Sequence, residues 1–113
     1  MRFVNEKSGR EFQAWFESNP GEPTVPSTVH WCLRNNTHDA TVQEWVELEP
    51  VVVSANGAIT GVKATVDVPG SLHVLTDRNN RREEFELQVV AAKDTAREYS
   101  EVLPYYVVRM SGR

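Results

Sequence analysis

Ser27–Asn35 reads STVHWCLRN. Along it Val29, Trp31 and Leu33 fall on one side of an extended chain, and His30, Cys32 and Arg34 fall on the other. A beat of two residues is the mark of a half-buried strand, so Val29, Trp31 and Leu33 are assigned to a core with Trp31 at its centre. The beat recurs on either side of this stretch. Toward the N-terminus, Phe12, Ala14 and Phe16 alternate with Gln13, Trp15 and Glu17. Toward the C-terminus, Val62, Ala64, Val66 and Val68 alternate with Lys63, Thr65 and Asp67. Arg81–Lys93 then places Phe85, Leu87, Val89 and Ala91 inward. The predicted core is therefore built on Phe12, Phe16, Val29, Trp31, Leu33, Val66, Phe85, Leu87 and Val89.

Turn formers punctuate these runs. NPGEPTVP (Asn19–Pro26) carries three prolines and excludes a regular element. NNTHDA (Asn35–Ala40) separates the Trp31 strand from TVQEWVELEP (Thr41–Pro50) and reads as a polar hairpin loop. Asn56-Gly57, inside SANGA, is a strong hairpin signal. Ser71–Asn80 has room for one helical turn near residues 71–76, with Ser71 as its cap. Pro104 marks the last strand, Tyr99–Met110, as an edge or a bulge.

About seven short strands at spacings near 8–12 residues, with no long helical pattern, predict an all-β chain. The expected architecture is an immunoglobulin-like Greek-key β-sandwich over residues 11–113. Residues 1–10 are polar and without clear periodicity, and are expected to be a flexible arm. The facing of Trp45 is open. Simple alternation points it outward between Gln43 and Glu47, whereas a bulge near Glu44 would turn it inward.

Composition narrows the function. The chain has 113 residues, 16 acidic and 12 basic, for a net charge of −4. Nucleic-acid binders draw affinity from neutralising phosphates and are basic, so nucleic acid is an unexpected partner. The single cysteine, Cys32, cannot form an intramolecular disulfide, which fits a reducing compartment. No apolar run approaches the ~20 residues that span a bilayer, so no membrane role is expected. The start, MRFVNEKSGREF, lacks the apolar stretch of a signal peptide.

Taken in order, VPSTVHW (Val25–Trp31), EWVELEP (Glu44–Pro50), NGAITG (Asn56–Gly61), TVDVPGSLHVLTDRNNRREEFELQVVA (Thr65–Ala91) and YSEVLPYYVVRMSG (Tyr99–Gly112) resemble a group of small tailed-bacteriophage proteins. That group is built as immunoglobulin-like or fibronectin-like sandwiches. The likeness covers Val25 to Met110 and its motifs are loose and structural. Trp31 stands where a tyrosine-like residue is usual, and Tyr106–Arg109 matches the final motif only in part. The resemblance implies a virion component made in the host bacterial cytoplasm. Its partners would be other virion proteins of capsid, neck or tail, met in many copies on a symmetric particle.

The residues offer candidate contacts and little chemistry. Asp77–Arg82 is a dense polar run in which Arg78, Arg81 and Arg82 suit an acidic protein surface. Phosphate contact and a plain solvated loop are the other readings of this run. Trp15, Trp45 and Tyr106 are candidate anchors if they face out. Exposed tryptophans also suit stacking on sugar rings, which makes a carbohydrate-binding or host-adhesion module the alternative function. His38-Asp39 could pair a base with an orienting carboxylate, but no nucleophile is placed near them. His30 and Cys32 are half of a metal site at most. No catalytic residue, metal or cofactor is expected, and no enzyme.

Overall fold

The computed structural model describes residues 2–17, 28–77, 79–93 and 97–109. Among the described residues there are eight strands, β1 (Arg2–Asn5), β2 (Arg10–Glu17), β3 (Thr28–Asn35), β4 (Ala40–Leu48), β5 (Val51–Ala55), β6 (Ala58–Val68), β7 (Arg82–Lys93) and β8 (Arg97–Val108). The only helical piece among them is a 3-10 turn at Gly70–Leu72. It lies at the start of the stretch expected to hold a helical turn. Ser71 does not cap it, because the capping position falls on Pro69, which offers no side-chain bond.

The strands form a five-stranded sheet ordered β1-β8-β7-β3-β4 and a three-stranded sheet ordered β2-β6-β5. The beat of two explains their packing. Phe12, Ala14 and Phe16 of β2 and Val62, Ala64, Val66 and Val68 of β6 turn one face of the small sheet inward. Val29, Trp31 and Leu33 of β3 and Phe85, Leu87, Val89 and Ala91 of β7 do the same for the large sheet. Val29 sits opposite Ala91, Trp31 opposite Val89 and Leu33 opposite Leu87, so these side chains form layers across the sheet. The two faces meet in one apolar cluster, with the rings of Phe12 and Tyr105 4.8 Å apart across it.

The N-terminal stretch differs from the flexible arm expected of it. Arg2–Asn5 runs parallel to β8 from Tyr105 to Val108, and Val4 is buried in the core. Two adjacent apolar residues in four, Phe3 and Val4, do not alternate and are too faint a pattern to mark a strand; the neighbouring strand supplies the order. At Asn56 and Gly57 both φ angles are positive, at 54° and 78°, as a tight two-residue hairpin requires.

Trp45 points outward although β4 does carry a bulge near Glu44. Trp31 faces Val46 and Leu33 faces Gln43, so Glu44 and Trp45 together oppose Cys32. The extra residue lies on the Glu44 side of Trp45. Trp45 therefore keeps phase with Val46 and Leu48, which pack on the core, and must point the other way.

Candidate interaction surface

The outer face of the large sheet carries three side chains in a layer. Pairing sets Phe3 beside Tyr106 and Arg82 beside Val108. The Phe3 and Tyr106 rings stack with centroids 5.7 Å apart and planes 25° apart. The Arg82 guanidinium carbon lies 4.5 Å from the Tyr106 ring centre. Tyr106 is thus half-buried between an aromatic ring and a cation, while Phe3 remains 59% exposed. Val102 (49% exposed) and Pro104 continue the apolar edge along β8.

The other candidates are dispersed. Trp45, 49% exposed, lies at the β4 edge of the same sheet. Trp15, 43% exposed, lies on the outer face of the small sheet, in register with Lys63 and Val51. Arg81 and Arg82 are exposed, and Arg78 falls outside the described residues. The structure therefore brings Arg82 and Tyr106 together and leaves Trp15 on the opposite side of the sandwich. Phe3 escaped the sequence reading, because its position depends on the parallel pairing of β1 with β8.

Behind the Arg81-Arg82 stretch a buried carboxylate organises the loops. The Glu83 side chain has no exposure to solvent. It accepts hydrogen bonds from the Thr76 amide and hydroxyl, both 3.2 Å, the Asp77 amide, 3.1 Å, and the Asn35 and Asn80 side-chain amides, 2.8 and 3.1 Å. His38 Nε2 lies 3.0 Å from Oε2, the oxygen that also takes the Asp77 and Asn80 bonds, and donates to it. Burial alone would raise this carboxyl, but the bonds from His38, Asn35, Asn80 and the Asp77 amide outweigh it and hold the group at about 2. The carboxylate that orients His38 is therefore Glu83. Asp39, its neighbour in sequence, pairs instead with Arg34 at 2.6 Å.

His73 is a second buried polar centre. Its Nδ1 is 2.6 Å from the Ser8 carbonyl, which can only accept, so Nδ1 carries the proton. Nε2, 2.8 Å from the Tyr105 hydroxyl, then accepts from it. Burial lowers the His73 pKa against the Ser8 bond, and burial raises that of Tyr105. A neutral imidazole satisfied on both nitrogens is a structural clasp. It ties the 3-10 turn to the β1–β2 connection, and the two approach so closely that a Cβ at Gly70 would collide with the Lys7 carbonyl.

His30 and Cys32 share the outer side of β3, where Cys32 Sγ lies 3.6 Å from Gln88 Oε1 and burial raises its pKa. Among the described residues no group of His, Cys, Asp and Glu is assembled that could hold a metal ion. No helix among them is long and apolar enough to cross a membrane. No protein-family model, curated protein or solved structure matches the chain.

Proposed function

We propose that this chain is an accessory structural protein of a tailed-bacteriophage particle, an immunoglobulin-like Greek-key sandwich that attaches to capsid, neck or tail by protein–protein contact. The observation that carries this reading is the outward layer Phe3–Tyr106–Arg82, with Trp45 on the same sheet. Aromatic and arginine side chains on a rigid face are the anchors of protein interfaces, where a few groups supply most of the binding energy. The strand order supports the immunoglobulin-like part of the reading. The chain alternates between the sheets, with β1 in the large one, β2 in the small, β3 and β4 in the large, β5 and β6 in the small, and β7 and β8 in the large. Trp31 faces the core from a central strand. On a symmetric particle many copies of one site are offered, so modest affinity per copy is enough. The reading assigns binding to the chain and no reaction.

The test is a double reversal, Arg81→Glu with Arg82→Glu, in which the fold is expected to survive because both side chains are exposed. Co-sedimentation with phage particles should fall at least about tenfold, the loss of one to two charge-assisted or cation–π contacts. Undiminished co-sedimentation removes this face from the interface. The carbohydrate-binding alternative draws on Trp15, exposed beside Lys63 on the other sheet. It predicts glycan binding lost in Trp15→Ala and untouched by the arginine reversals.

A further inference from the structure

We propose that the edge of β8 between Glu98 and Leu103 is a docking slot for an extended, basic segment of a partner polypeptide, which adds there as a strand in line with β1. This goes beyond the virion reading and stands without it.

The backbone carries the argument. β8 pairs with β7 along its whole length, from Arg97 to Val108. On its other side β1 covers only Tyr105–Val108. Among the described residues no strand pairs with the rest of that edge. Two bonds show which way the backbone groups point. The Val108 carbonyl accepts the Glu6 amide on the β1 side, whereas the Arg109 amide donates to the Arg81 carbonyl on the β7 side. Direction alternates along a strand, so the even-numbered residues present their N–H and C=O to the open edge. Ser100 and Val102 each offer one donor and one acceptor there, whereas the Pro104 carbonyl is already taken up by the pairing of Arg2 with Tyr105. Pro104 has the same parity, so its missing N–H takes nothing from the pairing with β7.

Side chains define the occupant. Val102 and Ser100 flank the slot on the outer face, and Val102 is half exposed. On the core side Leu103 packs against the apolar cluster and Glu101, opposite Val89, lies at the rim. No described side chain forms an ion pair with Glu101. The next outward charge along the β7–β8 pair is Glu86, opposite Pro104. A second copy of the chain would bring its own Glu101 and a net charge of −4 to this edge. A strand bearing lysine or arginine toward Glu101, with apolar residues toward Val102, complements it. In such strand addition the main chain supplies affinity and alternate side chains supply choice of partner.

The probe is a blocked hexapeptide alternating valine and lysine, with one alternating valine and glutamate as control. Amide hydrogen exchange, followed residue by residue by NMR, is the readout. In the free protein Ser100 and Val102 are expected to exchange fast, and the valine–lysine peptide should slow them about tenfold or more while the control leaves them unchanged. Val102→Pro removes only a donor aimed into the slot and should abolish the protection at Ser100, with β7 amides still protected. Should that variant fail to fold, Glu101→Lys carries the test, since it should transfer the preference to the valine–glutamate peptide. Slow exchange of Ser100 and Val102 in the free protein at every concentration would mean that the chain covers its own edge. Slowing that grows with protein concentration would mean that a second copy does. Either result overturns the proposal, as does equal protection by both peptides.

Discussion

At the loop end of the sandwich Glu83 and His73 are buried, and each of their polar atoms is held by a partner from another element. On the outer face of the large sheet Phe3, Trp45 and Val102 are large, apolar and open. The two regions are joined by a single residue step, from Arg82 on the face to Glu83 beneath it. The contrast separates two uses of costly side chains. A buried carboxylate reached from β3, the β3–β4 turn and the β6–β7 connection fixes the loops and has no freedom left for a ligand. An exposed ring stabilises little in the free chain and is available to a partner.

The largest effect should come from breaking the first region. Glu83→Ala leaves the buried Asn35 amide and the donors of the part-buried Asn80, Thr76 and Asp77 bonds without their shared acceptor. A loss of about 3–5 kcal/mol in denaturant unfolding is expected. Glu83→Gln keeps the volume and one acceptor and should lose less. The same centre sets the acid limit. A carboxyl held at about 2, against an ordinary 4.5, gives stability that is complete above pH 4.5 and lost as pH falls through about 2. That step is worth about 3 kcal/mol.

His73 should give an earlier and smaller acid step. Its pKa lies below the ordinary 6.5, so the unfolded chain takes up the proton first and stability begins to fall as pH drops below 6.5. His73→Phe should remove this step from the pH profile. It also strands the Tyr105 hydroxyl, so about 1–3 kcal/mol should be lost at neutral pH. A variant that kept the early step would place the titrating group elsewhere.

These two centres were the part of the molecule that could not be read in advance, and the reason is physical. Val29, Trp31 and Leu33 declare their burial by local alternation, and so do Phe85, Leu87 and Val89; both sets lie in the core. Glu83 sits at an inward position in that same alternation, two residues before Phe85. A charge there reads as the end of a strand until its donors, which come from as far away as Asn35, are in place. At His38-Asp39 adjacency in sequence showed neither true partner, since the turn assigns His38 to Glu83 and Asp39 to Arg34. Phe3 was invisible because a four-residue parallel strand takes its meaning from β8. The outward candidates were more legible. Trp15 follows from parity alone, Tyr106 from parity once Tyr105 beside it is known to be buried, and Trp45 needed only the side on which the bulge falls.

The smallest stability effects should belong to the face, and they sharpen the comparison by being small. Arg82→Ala removes an exposed cation from the Tyr106 ring and should cost about 0.5–1 kcal/mol. Trp45→Ala removes a side chain that is half in water on an edge strand, so unfolding should change by no more than about 0.5 kcal/mol. If this face is the contact surface, the same substitution should weaken attachment to phage particles by far more than it weakens the fold, since an anchor ring is desolvated only in the complex. Equal losses in unfolding and in attachment would mean that Trp45 acts through the bulge it sits beside. Its place would then be with the loop clasps, and the anchor role would pass to Phe3 and Tyr106.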